Sequence, residues 1–114
     1  MATITYTVTV ASGTNQYGTG NKFYINGEVS PVLYLQEGNT YIFDLSDSTN
    51  DTHQLAFSTN PNNSPTAAYT TGVTVNAGAS GPGSAGANTT IVVAPVRTTG
   101  APLLFYYCTA HSGM

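Results

Sequence analysis

Charged side chains are scarce in this sequence. Lys and Arg together number two, and Asp and Glu together number five, which gives a formal net charge of −3. Its two basic residues, Lys22 and Arg97, lie far apart along the chain. Nucleic-acid binding needs clustered Lys and Arg, and so does electrostatic attachment to anionic lipid. The composition therefore argues against nucleic acid and against a membrane surface as partners.

Cysteines and long apolar runs are equally scarce. The one cysteine, Cys108, excludes an internal disulfide, so nothing indicates an oxidising compartment. No apolar run is long enough to span a bilayer. No basic segment followed by an apolar segment stands at the amino end, where Thr3–Val10 already has a strand pattern. Either a secretory signal peptide was removed before this numbering begins or the protein never used one, and the initiating Met1 favours the second interpretation.

Alternating apolar and polar residues dominate the chain. In Thr3–Val10 the even positions are Ile or Tyr or Val and the odd positions are Thr, a period of two that predicts a half-buried strand. Comparable stretches predict the other strands: Lys22–Asn26, Val32–Gln36, Thr40–Leu45, Gln54–Ser58, Gly72–Val75, Thr89–Ala94 and Leu103–Cys108. No stretch is typical of a long helix. The pattern predicts one all-β domain over residues 1–114, a Greek-key β-sandwich or barrel.

Turn-forming residues separate these strands. We expect a loop from Ser12 to Asn21, a turn at Asn26-Gly27, and a small-residue loop over Ala77–Ala87. The sequence Glu37-Gly38-Asn39 predicts a hairpin between Val32–Gln36 and Thr40–Leu45.

Four side chains could bind a transition metal: His53, Cys108, His111 and Met114. Cys108 ends an apolar aromatic strand, and Ser112-Gly113 lets the chain fold back so that a thiolate, an imidazole and a thioether converge. His53 would supply a second imidazole, because the end loops of a sandwich cluster in space. Two His, one Cys and a weak axial Met form the ligand set of blue copper.

Each of these residues also has an ordinary structural interpretation. A single Cys in a sandwich can be a small buried hydrophobe, a terminal Met is often disordered, and His53 follows the turn-like Asn50-Asp51-Thr52. Whether copper occupies the site or the site is vestigial stays open. Asp44, Asp47 and Asp51 lack the spacing of a calcium-binding EF-hand loop and are interpreted as solvated turn formers.

Three stretches resemble plastocyanin-like cupredoxins. Leu35–Phe43 resembles their strand–Gly–strand hairpin, Thr52–Phe57 their first histidine loop, and Phe105–Met114 their Cys-x-x-His copper loop. The resemblance implies a cupredoxin-like sandwich with copper held by His53, Cys108, His111 and Met114. Two features depart from it. The His-x-x-Met spacing is shorter than in plastocyanins, and the final strand that follows the copper loop in cupredoxins is missing, so we expect one side of Leu103–Cys108 to lack a partner strand.

A second resemblance concerns Glu37–Asp44, Tyr69–Val73 and Tyr106–Met114. These stretches are similar to a domain found in structural proteins of marine tailed phages, cyanophages included. It implies an accessory virion protein, such as a capsid decoration or tail component, located in the virion and contacting other virion proteins or copies of itself. The sparse charge also predicts self-association.

The alternative is a small periplasmic or extracellular blue-copper electron carrier with a redox partner. An enzyme is not expected, because a mononuclear cupredoxin site leaves no open position for substrate.

Overall fold

The computed structural model describes residues 2–15, 18–33, 35–58, 68–93 and 105–109. Eight strands and one short 3-10 helix, η1, lie within them. In chain order these are β1 (Thr3–Asn15), β2 (Gly18–Ile25), β3 (Glu28–Val29), β4 (Thr40–Asp44), η1 (Ser48–Asn50), β5 (Leu55–Ser58), β6 (Val73–Asn76), β7 (Asn88–Val92) and β8 (Phe105–Cys108).

The strands form two sheets. The larger has the order β3-β2-β1-β4-β7-β6, and the smaller pairs β5 with β8. Within the larger sheet β1 runs parallel to β4, and every other neighbouring pair is antiparallel. The chain passes between the sheets after β4, after β5 and after β7, so at these three points consecutive strands lie in different layers. The predicted all-β Greek-key sandwich class is confirmed.

Side chains from the inner faces of both sheets form the core. On β1 the alternation predicted from the sequence places Val8 and Val10 inward, opposite Ile25 and Phe23 of β2. Phe43 of β4 meets Phe57 of β5 across the layers, with ring centroids 5.4 Å apart in an edge-to-face arrangement. Such aromatic pairs add to the free energy gained from apolar burial, so this contact joins the two sheets.

Two of the predicted elements are corrected, one loop and one strand. The predicted loop over Ser12–Asn21 was wrong, because β1 continues to Asn15 and β2 begins at Gly18. The two strands form a long hairpin in which Gly13 lies opposite Gly20 and Asn15 opposite Gly18. Gly18 has a φ of 117°, a backbone conformation that favours glycine. The Gly and Asn residues thus serve a hairpin rather than an open loop.

The second is the strand over Val32–Gln36, which was wrong for its described residues, none of which lies in a strand. A turn is present at Glu37-Gly38, where Asn39 N donates to Gln36 O, but it joins no hairpin. Gly38 N donates instead to Val93 O, just beyond β7. β4 takes β1 and β7 as its neighbours, so burial in the centre of a sheet outweighed the local hairpin signal.

η1 lies beside the part of β1 that does not pair with β4. β4 pairs with β1 only over Thr3–Thr7. Further along, Val10 N donates to Thr49 Oγ1 at 2.9 Å, and Asn50 Nδ2 donates to Val8 O at 2.7 Å. Buried backbone groups need such partners, so these contacts fix η1, and the loop that follows it, against the large sheet.

Candidate metal centre

His53 and Cys108 meet at one end of the sandwich. His53 lies between η1 and β5, and its N donates to Asn50 O at 2.8 Å. Cys108 ends β8, directly opposite Leu55 in the β5–β8 register. Thr109 N continues the ladder to Gln54 O. The pairing of the small sheet therefore places Cys108 opposite a residue that is only two positions after His53 in the chain.

The two side chains are in direct contact. The distance from Cys108 Sγ to His53 Nδ1 is 3.7 Å, a sulfur hydrogen bond whose donor depends on the tautomer of the imidazole. Cys108 has no solvent-exposed surface and His53 is 7% exposed. The thiol and the imidazole thus face each other away from bulk water, although they are 55 residues apart in sequence.

This separation fits two ligands of a single ion. In zinc sites, metal–sulfur distances of about 2.3 Å and metal–nitrogen distances of about 2.0–2.1 Å at a tetrahedral angle put the two donor atoms roughly 3.6 Å apart. The observed 3.7 Å matches that spacing. A soft sulfur beside an imidazole nitrogen is a donor pair that suits copper and zinc.

Two further predicted ligands, His111 and Met114, lie outside the described residues. Within residues 2–109 as far as they are described, no group of three or more His, Cys, Asp or Glu side chains could hold a metal ion. The described part of the centre is therefore the His53–Cys108 pair.

Known proteins give no further guide. Comparison with protein-family models, with curated proteins and with solved structures found no match. Nor does any helix within the described residues have the length and apolar character needed to cross a membrane.

A hydrogen-bond network between the two sheets supports the beginning of β5, the strand that follows His53. Thr89 Oγ1, on the inner face of β7, donates to Leu55 O at 2.9 Å, and Gln54 Nε2 donates to the Thr89 hydroxyl at 2.9 Å. Leu55 O lies on the side of β5 that faces away from β8. The Thr89 side chain thus ties the beginning of β5 to the large sheet, next to His53.

On the amino-terminal side of His53, η1 supports the loop that leads to this residue. Asp47 accepts hydrogen bonds from Thr49 N and Thr49 Oγ1, and these bonds hold the pKa of its carboxyl below the ordinary value. Asn50 is fully buried, and its Oδ1 has no hydrogen-bond partner among the described residues. Gly83 packs so closely on Asp51 that a Cβ there would lie 2.8 Å from Asp51 N.

The supporting residues Thr89 and Asn50 were missed by the sequence interpretation. A Thr at an inward position of a strand gives no signal in a periodic pattern. Asp47-Ser48-Thr49 does carry one, because Asp is a preferred N-cap whose side chain accepts from a backbone N–H two residues on. The interpretation of the aspartates as turn formers is confirmed at Asp47, and Asp44 likewise accepts from Ser46 N.

Proposed function

We propose that this chain is a copper-binding domain of the cupredoxin type. The observation that carries the proposal is the buried contact between Cys108 Sγ and His53 Nδ1 at 3.7 Å. His111 and Met114 would complete the ligand set from the segment that follows β8. The sandwich and the resemblance of Thr52–Phe57 and Phe105–Met114 to copper-binding loops support this assignment.

The chain's own residues suit a redox centre that needs little rearrangement. When bound, copper supplies a one-electron couple. Cys108 stands at the end of a paired strand, and His53 follows a loop held by Asn50 on one side and Gln54 with Thr89 on the other. Because the Cys108 and His53 donor atoms are held by the fold, these two ligands would need little reorganisation during electron transfer. Four protein ligands would leave no position for a substrate, so we propose electron transfer rather than enzymatic catalysis.

Metal titration of the reduced, purified protein tests this proposal. One equivalent of Cu²⁺ should bind and produce an intense visible band from thiolate-to-copper charge transfer. Cys108→Ser should abolish the band, because a hydroxyl is a harder ligand, and His53→Gln should weaken binding. Thr109→Ser, a change at the exposed neighbour of Cys108, is the matched control and should leave the band intact. Absence of copper binding, or binding that Cys108→Ser leaves unchanged, would overturn the proposal.

A second candidate function is a structural component of a tailed-phage particle. It is supported by the outer face of the large sheet, where the registers align Thr5, Ile42, Thr90 and Thr74 in one row across four strands. A nearly uncharged face can contact other proteins without electrostatic repulsion. Mass spectrometry of purified phage particles whose genome encodes this chain should detect the chain at a fixed copy number. Its absence from intact particles would reject this role.

A further inference from the structure

The two edges of the six-stranded sheet differ in how they are protected. β3, at one edge, is two residues long, carries Glu28, and is followed by Ser30-Pro31. β6, at the other edge, has the uncharged sequence Val73-Thr74-Val75-Asn76. No strand lies beyond β6 within the described residues. Proteins commonly block such edges with charge, proline or a bulge, and β6 has none of these.

The hydrogen-bond alternation identifies which groups point outward from β6. Val92 N donates to Gly72 O, so Gly72 and Val92 form a hydrogen-bonded pair. In an antiparallel ladder these pairs alternate, which directs the backbone groups of Thr74 and Asn76 toward β7. The backbone groups of Val73 and Val75 therefore point away from the sheet. Val73 N donates to Thr70 O, which leaves Val73 O, Val75 N and Val75 O without a hydrogen-bond partner among the described residues.

A second copy of the chain, related by a two-fold axis at Val75, would form hydrogen bonds with all of these outward-pointing groups. In an antiparallel register that places Val75 opposite the partner's Val75, the two valines exchange two N–H···O bonds. The same register places Ala77 opposite the partner's Val73, so each Ala77 N can donate to a Val73 O. Ala77 O already accepts from Gly81 N within its own chain. The register thus gives four intermolecular hydrogen bonds and competes with no described intramolecular bond.

We propose that β6 is a self-pairing edge, through which a second copy of this chain joins the six-stranded sheet in the Val75-centred antiparallel register. Side-chain chemistry favours a copy as the occupant. Val75 is 53% exposed and would pack against its own equivalent. Thr74 would lie opposite the partner's Asn76, a polar pair on the outer face. Because neither strand carries charge, like edges meet without the repulsion that normally separates them.

The contact is small. A four-residue strand pair buries much less than the roughly 1,000 Å² that marks a stable interface. We therefore expect reversible association at high concentration, strengthened wherever several copies are held close together.

Sedimentation velocity on the full chain, from about 10 µM to about 1 mM, should show a concentration-dependent dimer. Val75→Lys places two ammonium groups opposite each other and should lower the association constant about tenfold or more. Val32→Lys is the matched control: Val32 is 76% exposed, follows β3 near the opposite edge, and receives the same charge. It should leave the association constant unchanged.

Amide hydrogen exchange checks the register itself. The Val75 and Ala77 amides should become more protected as concentration rises, whereas the Asn76 amide, already directed toward β7, should not change. A strictly monomeric chain across the whole range would overturn the proposal. So would association that Val75→Lys leaves intact, or protection that rises without involving Val75.

Discussion

The six-stranded sheet and the two-stranded sheet carry different parts of the molecule's stability. β1 has neighbours on both sides, and its buried valines belong to a continuous apolar core. β5 and β8 are four residues each, and a two-stranded sheet of that size is at best marginally stable alone. The small sheet nevertheless bears Cys108 and adjoins His53. The candidate centre thus depends on contacts that cross between the layers, and substitutions can separate the two contributions.

The largest effect is expected from Phe43→Ala. Phe43 is fully buried in β4 and packs against Tyr6 and Phe57. Removing a buried Phe ring leaves a cavity, and we expect a loss of about 3–5 kcal/mol in the free energy of unfolding. Urea denaturation measures it. Ile42→Ala, on the half-buried outer face of the same strand, should cost much less; equal losses would show that Phe43 does not join the sheets.

Thr89→Val should have an intermediate effect that is concentrated in the small sheet. The change preserves shape but removes the hydroxyl that bonds Leu55 O and Gln54 Nε2. Losing these two hydrogen bonds should cost about 1–3 kcal/mol in the free energy of unfolding, while Gln54 Nε2 and Leu55 O keep their bond to each other at 3.0 Å. Amides of β5 and β8 should exchange faster than those of β1. Thr90→Val is the control, because Thr90 Oγ1 bonds only the nearby Asn88 side chain among the described contacts.

Tyr106→Phe tests a second attachment of the small sheet. Tyr106 Oη donates to Pro31 O at 2.5 Å, and burial raises the pKa of this phenol well above its ordinary value. Removing the hydroxyl should cost about 0.5–1.5 kcal/mol. Absorbance titration at high pH should also lose one tyrosine that ionises above the ordinary range. The control is Tyr24→Phe, which removes an exposed bond to Ser12 O. An unchanged titration curve in Tyr106→Phe would contradict this assignment.

The smallest effect is expected on the stability of the fold at acidic pH. Hydrogen bonds from Thr49 lower the pKa of Asp47 below 3.8, so its ionised form favours the folded state. That contribution is fully present above pH 3.8 and disappears as pH falls through the folded-state pKa. Asp47→Asn should therefore reduce the pH dependence of unfolding only in this acidic range. Since Asp47 is solvent-exposed, the change will be slight, and a difference between the two proteins in the slope of stability against pH near neutrality would point to another cause.

Local periodicity was enough to predict most strands and the class of the fold. The alternation in Thr3–Val10 was preserved because β1 buries one face, and the apolar run before Cys108 forms β8, in which Tyr107 and Cys108 are both buried. It could not predict which strands pair. The turn at Glu37-Gly38 has hairpin chemistry, yet Gly38 N bonds Val93, a residue far away in sequence. Non-local burial decided that outcome, and no local pattern records it.

The candidate centre was partly predictable for a similar reason. Residue chemistry singled out His53 and Cys108, and the clustering of sandwich end loops predicted that they would meet. The supports at Asn50 and Thr89 depend on where η1 and β7 pack, which is a tertiary property. His111 and Met114 remain predictions, since they lie outside the described residues.

The parallel pairing of β1 with β4 has a consequence for how the chain folds. It joins segments far apart in sequence, as does the bond from Ala2 N to Asn39 Oδ1, which spans 37 residues. Such contacts require the closure of long loops before they yield any stabilisation, so folding should be slow for a chain of this size. The β1–β2 hairpin needs only local contacts and can form early. His53 and Cys108, separated by 55 residues, would meet late. A metal ion bound there should therefore slow unfolding and leave the refolding rate nearly unchanged.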